Sequence, residues 1–207
     1  KKNLEKSDVK GKIFITGNTV IDSLFFILGR ENNYKINSFF SNNIKRVILT
    51  TVHRRENLGL NLINIIQAIK KILKEFDDVG FLIPMHPNSL VRDAWKKQLK
   101  NDPRVSLQEP FSYDLLVSMM KKCNFVLTDS GGLQEEAPSL GKPVLVLRNT
   151  TERIESLESG TAKLIGTNSE NIVKEVSLIL KNDKIYQKMS NAKNPYGDGK
   201  SSKRILK

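Results

Sequence analysis

Leu127-Thr128-Asp129-Ser130-Gly131-Gly132-Leu133-Gln134-Glu135-Glu136-Ala137-Pro138 decides the fold: an apolar run ends, two glycines open a helical stretch, and two carboxylates follow a turn inside it. The first N–H groups of a helix have no intrahelical partner, and the helix dipole places partial positive charge there. Because Gly131 and Gly132 carry no Cβ, a phosphate can approach that backbone directly. Ser130 can cap the helix or bind the ligand. In isolation the same residues would also serve as a tight strand-to-helix turn with an ordinary serine cap.

Working outward, short apolar runs alternate with amphipathic stretches, which predicts a parallel sheet with crossover helices. Strands are expected at Val47 to Thr51, Phe81 to Met85, Arg104 to Leu107, Phe125 to Thr128, Val144 to Leu147 and Lys163 to Ile165. Helices are expected at Leu60 to Phe76, Ser89 to Leu99, Tyr113 to Lys122, Gly132 to Ser139 and Asn171 to Leu180. Right-handed crossovers then give a doubly wound, Rossmann-like α/β fold, whose ligands bind beyond the carboxyl ends of the strands. Three polar clusters follow expected strand ends and should share one rim: Thr51-Val52-His53-Arg54-Arg55-Glu56-Asn57, Met85-His86-Pro87-Asn88 and Asp129-Ser130-Gly131-Gly132. Ile13 to Asp22 reads as a strand and turn leading into a helix, Asn32 to Asn43 as a polar loop or interdomain connection, and Asn194 to Gly199 as a turn before a short basic helix.

A chain of 207 residues holds one full-sized α/β domain. The lone Cys123 admits no internal disulfide or cysteine cluster for zinc, and its place between a helix and a strand suggests a buried thiol. No apolar run reaches the ~20 residues of a membrane span, and the first residues carry no apolar leader, so no membrane association is expected and the compartment is read as cytoplasmic. The formal charge of +12 raises nucleic acid as a partner, but the lysines are spread over helix faces and both ends without interleaved aromatics. They read as a solvated surface, with no nucleic-acid site.

Taken together, the motifs resemble the bacterial non-hydrolysing UDP-N-acetylglucosamine 2-epimerases. The likeness runs through Thr16-Gly17-Asn18-Thr19-Val20-Ile21-Asp22, His53-Arg54-Arg55-Glu56-Asn57, Pro84-Met85-His86-Pro87-Asn88, the block from Asp129 to Pro138 continuing through Gly141-Lys142-Pro143-Val144-Leu145-Val146, Thr150-Thr151-Glu152-Arg153, and Asn194 to Gly199. Family members are about twice as long and place two Rossmann-like domains across a cleft, the GT-B arrangement. The resemblance therefore implies a carboxyl-terminal, UDP-binding domain over residues 1–207, with 1–43 as leading helix and interdomain connection and 194–207 as terminal turn and helix. The amino-terminal domain, which in the family carries an arginine near the nucleotide and the principal acidic residues, is absent from this sequence.

The implied reaction interconverts UDP-GlcNAc and UDP-ManNAc by eliminating UDP to an unsaturated 2-acetamidoglucal and adding it back after reprotonation on the other face. It needs an acid, a base and strong stabilisation of the departing diphosphate, and no redox or metal cofactor. By the family pattern Ser130, Gly131 and Gly132 hold the diphosphate, Glu136 accepts from the ribose diol, and Arg153 lies at the nucleotide. His53 matches a family histidine at the sugar-nucleotide site, in contact with the diphosphate or assisting proton transfer. Phe111 and Leu116 correspond to positions near the uracil; Phe111 either stacks on the base or packs in the core, and Leu116 stands where some members have phenylalanine. Arg54 and His86 correspond to positions that help bind a second UDP-GlcNAc as an allosteric activator, or else make ordinary loop-to-loop hydrogen bonds. Ile154 replaces the usual proline after Thr-Thr-Glu-Arg. The family also implies a homodimer. Alternatives are a non-catalytic module that holds UDP-sugar, or a GT-B glycosyltransferase domain.

Overall fold

The computed structural model describes residues 2–7, 9–30, 34–40 and 44–207. Six strands, β1 Arg46–Thr51, β2 Val79–Pro84, β3 Val105–Gln108, β4 Phe125–Thr128, β5 Val144–Val146 and β6 Ala162–Leu164, form one all-parallel sheet in the order β3-β2-β1-β4-β5-β6. This is the doubly wound order, and its topological switch lies between β1 and β4, where Thr51 stands beside Thr128. Helices α1 Lys2–Glu5, α2 Thr19–Leu28, α3 Leu60–Glu75, α4 Ser89–Leu99, α5 Tyr113–Lys122, α6 Gly131–Glu136, α7 Ile154–Glu158, α8 Ser169–Lys181, α9 Asp183–Ser190 and α10 Ser201–Ile205 accompany it.

Both faces of the sheet are buried, which is why its strands read as continuous apolar runs. Along β1, Ile48 packs under α3, α4 and α8 with Trp95, Ile65 and Ile172, whereas Val47 and Leu49 face the opposite layer with Leu24, Val117, Met120 and Leu133. The apolar stripe of α3 repeats at helical spacing through Leu62, Ile65, Ile66, Ile69, Ile72 and Leu73, all buried. Cys123 is buried with the second layer, as expected of it, and burial pushes its thiol up to about 12.

Several expectations shift. The helix expected from Gly132 to Ser139 begins at Gly131, leaves α geometry after Glu136 and tightens into a 3₁₀ turn, Ala137–Leu140, since Pro138 cannot donate a helical hydrogen bond. Gly141, at φ 66°, closes it. The strand expected at the start of Ile13 to Asp22 does not form: Phe14 and Ile15 are 76% and 74% exposed and have no sheet partner, although the helix that follows is α2. Helices α7 and α9 were not expected from periodicity. α9 has no fully buried residue and packs Ile185, Tyr186 and Met189 against the core edge. Within the segment 32–43, the turn Ile36–Phe39 is 3₁₀, and residues 32–33 and 41–43 lie outside those described. The tail behaves as expected, a turn followed by α10. Among the described residues, no helix is long and apolar enough to cross a membrane.

Candidate functional site

All three polar clusters reach one rim, at the carboxyl ends of β1, β2 and β4. Asp129 organises it. This side chain is fully buried and accepts from the backbone N–H of His53 at 2.9 and 3.1 Å, from that of Arg54 at 2.9 Å and from Asn57 Nδ2 at 2.9 Å. Asn57 Nδ2 also donates to the Leu147 carbonyl at 3.0 Å. One carboxyl group thus folds the loop after β1 onto the loops after β4 and β5, and its Oδ1 lies 3.6 Å from His53 Nε2. Beneath it, Thr51 Oγ1 and Thr128 Oγ1 meet at 2.5 Å, and Thr128 Oγ1 accepts from Ser130 N at 2.9 Å.

The turn that follows leaves the start of α6 without a side-chain cap. Ser130 is the N-cap of α6, yet its hydroxyl makes no cap hydrogen bond, so the opening amides of the helix keep their donors. A Cβ built on Gly132 would meet nothing nearer than 3.8 Å, whereas one on Gly131 would lie 3.0 to 3.3 Å from the Arg153 guanidinium. Arg153 is therefore laid against Gly131, which needs its missing side chain for that approach. Its Nε donates to Glu135 Oε1 at 2.9 Å and its Nη1 lies 3.1 Å from Glu152 Oε1. Gln134, fully buried, links the same pieces: its Nε2 donates to the Ser130 carbonyl at 3.0 Å and its Oε1 accepts from Thr151 Oγ1 at 2.8 Å.

Glu136 lies a turn further in, 5% exposed, with Tyr113 donating to its Oε1 at 2.6 Å. Burial pushes its carboxyl above the usual range, Tyr113 opposing the shift and the Glu135 charge adding to it. The Tyr113 hydroxyl is itself raised, by burial and by Glu136. On the other side of the rim, Arg148 joins Glu56 and Glu152 at 2.7 Å each, and Arg54 reaches Glu152 at 3.4 Å. Glu152 is held down to about 2 by its own backbone N–H and then by Arg148. His53 and His86 stack obliquely with ring centroids 6.0 Å apart. Together with Met85, Pro110, Phe111 and Leu116 they line a cavity of about 190 Å³. Phe111 packs on Phe39, with ring centroids 5.6 Å apart, and also lines this cavity.

A cavity with a mostly apolar floor, a helix start with free donors, an arginine beside it and a buried carboxylate beyond can seat a nucleotide, diphosphate to the amides and sugar hydroxyls to the carboxylate. The family model of UDP-N-acetylglucosamine 2-epimerase matches residues 1–207, the whole chain. The chain belongs to that family. The UDP-N-acetylglucosamine 2-epimerase of Bacillus subtilis is 46% identical over 213 residues, covering 100% of this chain and 54% of the relative. Among solved structures, the UDP-GlcNAc 2-epimerase of Neisseria meningitidis bound to UDP-GlcNAc matches with TM-score 0.89 and 42% identity, over 98% of this chain and 56% of that one. The S. aureus MnaA structure with UDP matches with TM-score 0.91 and 42% identity, over 98% and 55%. The chain thus spans about half the length of its epimerase relatives, as one Rossmann-like half of a GT-B enzyme would.

Against this epimerase frame, the structure gathers the candidate residues into one continuous rim: Ser130, Gly131, Gly132, Glu136 and Arg153 around the start of α6, with His53, His86, Phe111 and Leu116 around the cavity beside it. Arg54 turns to Glu152, and His86 Nδ1 accepts from Asn88 N at 3.2 Å, the loop hydrogen bonds that were the alternative reading for both. Arg153 is likewise engaged within the rim, paired with Glu152 as well as Glu135. Sequence reasoning did not single out Asp129, Asn57, Gln134, Thr151 and Tyr113 as individual residues. Their roles depend on contacts across long sequence separations, such as Asn57 with Asp129 and Tyr113 with Glu136, which no local spacing signals.

Proposed function

We propose that this chain is the carboxyl-terminal UDP-binding domain of an epimerase that interconverts UDP-GlcNAc and UDP-ManNAc, with residues 1–207 forming one domain of a two-domain enzyme. The observation that carries this reading is the open start of α6, flanked by Arg153 and Glu136, at the topological switch of the sheet. In this reading the amides of Gly131 and Gly132, the Ser130 hydroxyl and Arg153 receive the diphosphate and stabilise it as it departs. Glu136 accepts from the ribose diol, Phe111 and Leu116 border the base, and His53 faces the diphosphate or relays a proton at the sugar. Arg54 and His86 are the candidates for holding a second UDP-GlcNAc. The remaining acid–base groups come from the other domain of the enzyme. The expected assembly is a homodimer and the expected compartment the cytoplasm.

A domain that holds the leaving group without both flanking acid–base groups should bind but not turn over. Incubated with UDP-GlcNAc in deuterated water and followed by proton NMR, the chain alone is expected to bind UDP and to leave C2 undeuterated. Solvent deuterium appearing at C2 would overturn that half of the proposal, and absence of UDP binding would overturn the other.

Glu136 gives the reading a pH signature. Its ionised form is the better acceptor for the diol, so UDP affinity falls as pH is lowered through its pKa. Because burial raises that pKa, the loss begins at a higher pH than for an exposed carboxylate. For stability the sign reverses. A carboxyl group whose folded pKa is raised contributes fully below its unfolded pKa and loses that contribution as pH rises through the folded one. At neutral pH, Glu136→Gln should therefore melt no lower than the native chain while binding UDP roughly tenfold more weakly, with the low-pH loss abolished. Calorimetric titrations across pH, paired with melting curves, measure both.

A further inference from the structure

Glu135 is a junction between the phosphate turn and the segments that carry Asn18 and Asn194. Its carboxylate is 13% exposed. Oε1 accepts from Arg153 Nε at 2.9 Å, and Oε2 accepts from Asn18 Nδ2 at 2.8 Å. Its backbone carbonyl accepts from Asn194 Nδ2 at 2.9 Å. Asn18 is itself fixed, capping α2 by accepting from Val20 N at 3.0 Å and donating its own N–H to the Tyr196 carbonyl at 2.7 Å. A guanidinium is a rigid fork of five donors. With Nε taken by Glu135 and Nη1 beside Glu152, its Nη2 lies 3.2 Å from where a Cβ on Gly131 would sit.

We propose that Glu135 is a positioning residue for phosphate recognition: it holds the Arg153 guanidinium against Gly131 and ties that placement to Asn18 and Asn194, near the two ends of the chain. The inference rests on the UDP reading of the site and deepens it. Glu135 touches no part of the nucleotide; it acts by removing rotamer freedom from an arginine that would otherwise have to be ordered when the phosphate arrives. In Glu135→Gln, whichever way the amide turns, its NH₂ group faces either Asn18 Nδ2 or Arg153 Nε, so one partner is lost.

The test is calorimetric titration of the native chain, Glu135→Gln, Asn18→Asp and Arg153→Ala with UDP, UMP and uridine. Glu135→Gln is expected to lower UDP affinity about five- to tenfold and to leave uridine affinity within about twofold. Asn18→Asp keeps the cap of α2 but sets a second carboxylate against Glu135, and should shift UDP in the same direction. Arg153→Ala sets the full loss. Equal weakening of UDP and uridine in Glu135→Gln would make its role merely structural and overturn the inference, as would no weakening of UDP. A second readout needs no ligand: the Arg153 Nε–H resonance, assigned by its absence in Arg153→Lys, should be protected from exchange in the native chain and lose that protection in Glu135→Gln. Equal exchange in both overturns the inference. A protected resonance in a native chain that binds no UDP supports the positioning and counts against the nucleotide assignment alone.

Discussion

Gly132→Asp is expected to leave the chain folded and to weaken UDP binding by more than a hundredfold. Both halves of that expectation come from the same place in the structure. A Cβ at Gly132 would meet only Glu136 Oε2 and Ser130 Oγ, each at 3.8 Å, and the residue has ordinary helical backbone, so an aspartate fits without strain. A carboxylate in the first turn of a helix interacts favourably with the dipole, which offsets much of its repulsion from Glu136 one turn on. The same carboxylate occupies the space in front of the opening amides and sets a negative charge where the diphosphate is to lie. A hundredfold loss corresponds to about 2.8 kcal/mol, within reach of one misplaced charge in a partly desolvated site. Gly132→Ala is the milder control, adding a methyl group with no charge. Isothermal titration with UDP measures the effect, and circular dichroism melting shows that the fold survives. A folded Gly132→Asp with unchanged UDP affinity would mean that the nucleotide does not sit at the start of α6.

The sheet and the placement of the rim were legible because they are written in local patterns. Strands such as Phe125–Thr128 are apolar runs buried on both faces, and the stripe of α3 has a period that only a helix satisfies. The glycine pair announced an open helix start, and the structure distinguishes the two glycines: Gly131 admits Arg153, whereas a Cβ on Gly132 would make only ordinary contacts with Glu136 and Ser130. Two kinds of feature stayed hidden. Phe14 and Ile15 carry the composition of a strand but find no edge to pair with, since strand propensity describes a fit to a half-buried surface that the tertiary structure must supply. The polar network behind the rim joins residues as distant as Asn18 and Glu135, and hydrogen-bonding capacity in a sequence says nothing of which partner will be near. The epimerase resemblance supplied the candidate residues of the rim, and the structure identified those that hold them in place.

Among the holding residues, Asp129 should cost the most to remove. Asp129→Ala is expected to destabilise the chain by about 3 to 5 kcal/mol, as read from urea unfolding, and to weaken UDP binding with it. The truncation takes one acceptor group away from the backbone donors of His53 and Arg54 and from Asn57 Nδ2, at a site where Asp129 is fully buried and Asn57 is 1% exposed. Each buried donor left without an acceptor costs about 1 to 3 kcal/mol. Asn57 keeps the Leu147 carbonyl, so the penalty falls mainly on the two backbone groups and on the methyl-sized void. Asp129→Asn separates the contributions. Its single oxygen can take the place of Oδ2, which receives all three of these hydrogen bonds at 2.9 Å, while the amide replaces Oδ1, losing the second, 3.1 Å acceptor of the His53 N–H and facing His53 Nε2, from which Oδ1 now stands 3.6 Å. The asparagine variant should therefore retain most of the stability, within about 1 to 2 kcal/mol of the native chain, and still present a different group to the imidazole. If both variants unfold within 1 kcal/mol of the native chain, Asp129 is not what folds the His53 loop onto the phosphate turn. If the asparagine variant proves as unstable as the alanine one, the negative charge itself, rather than the acceptor geometry, holds the loop in place.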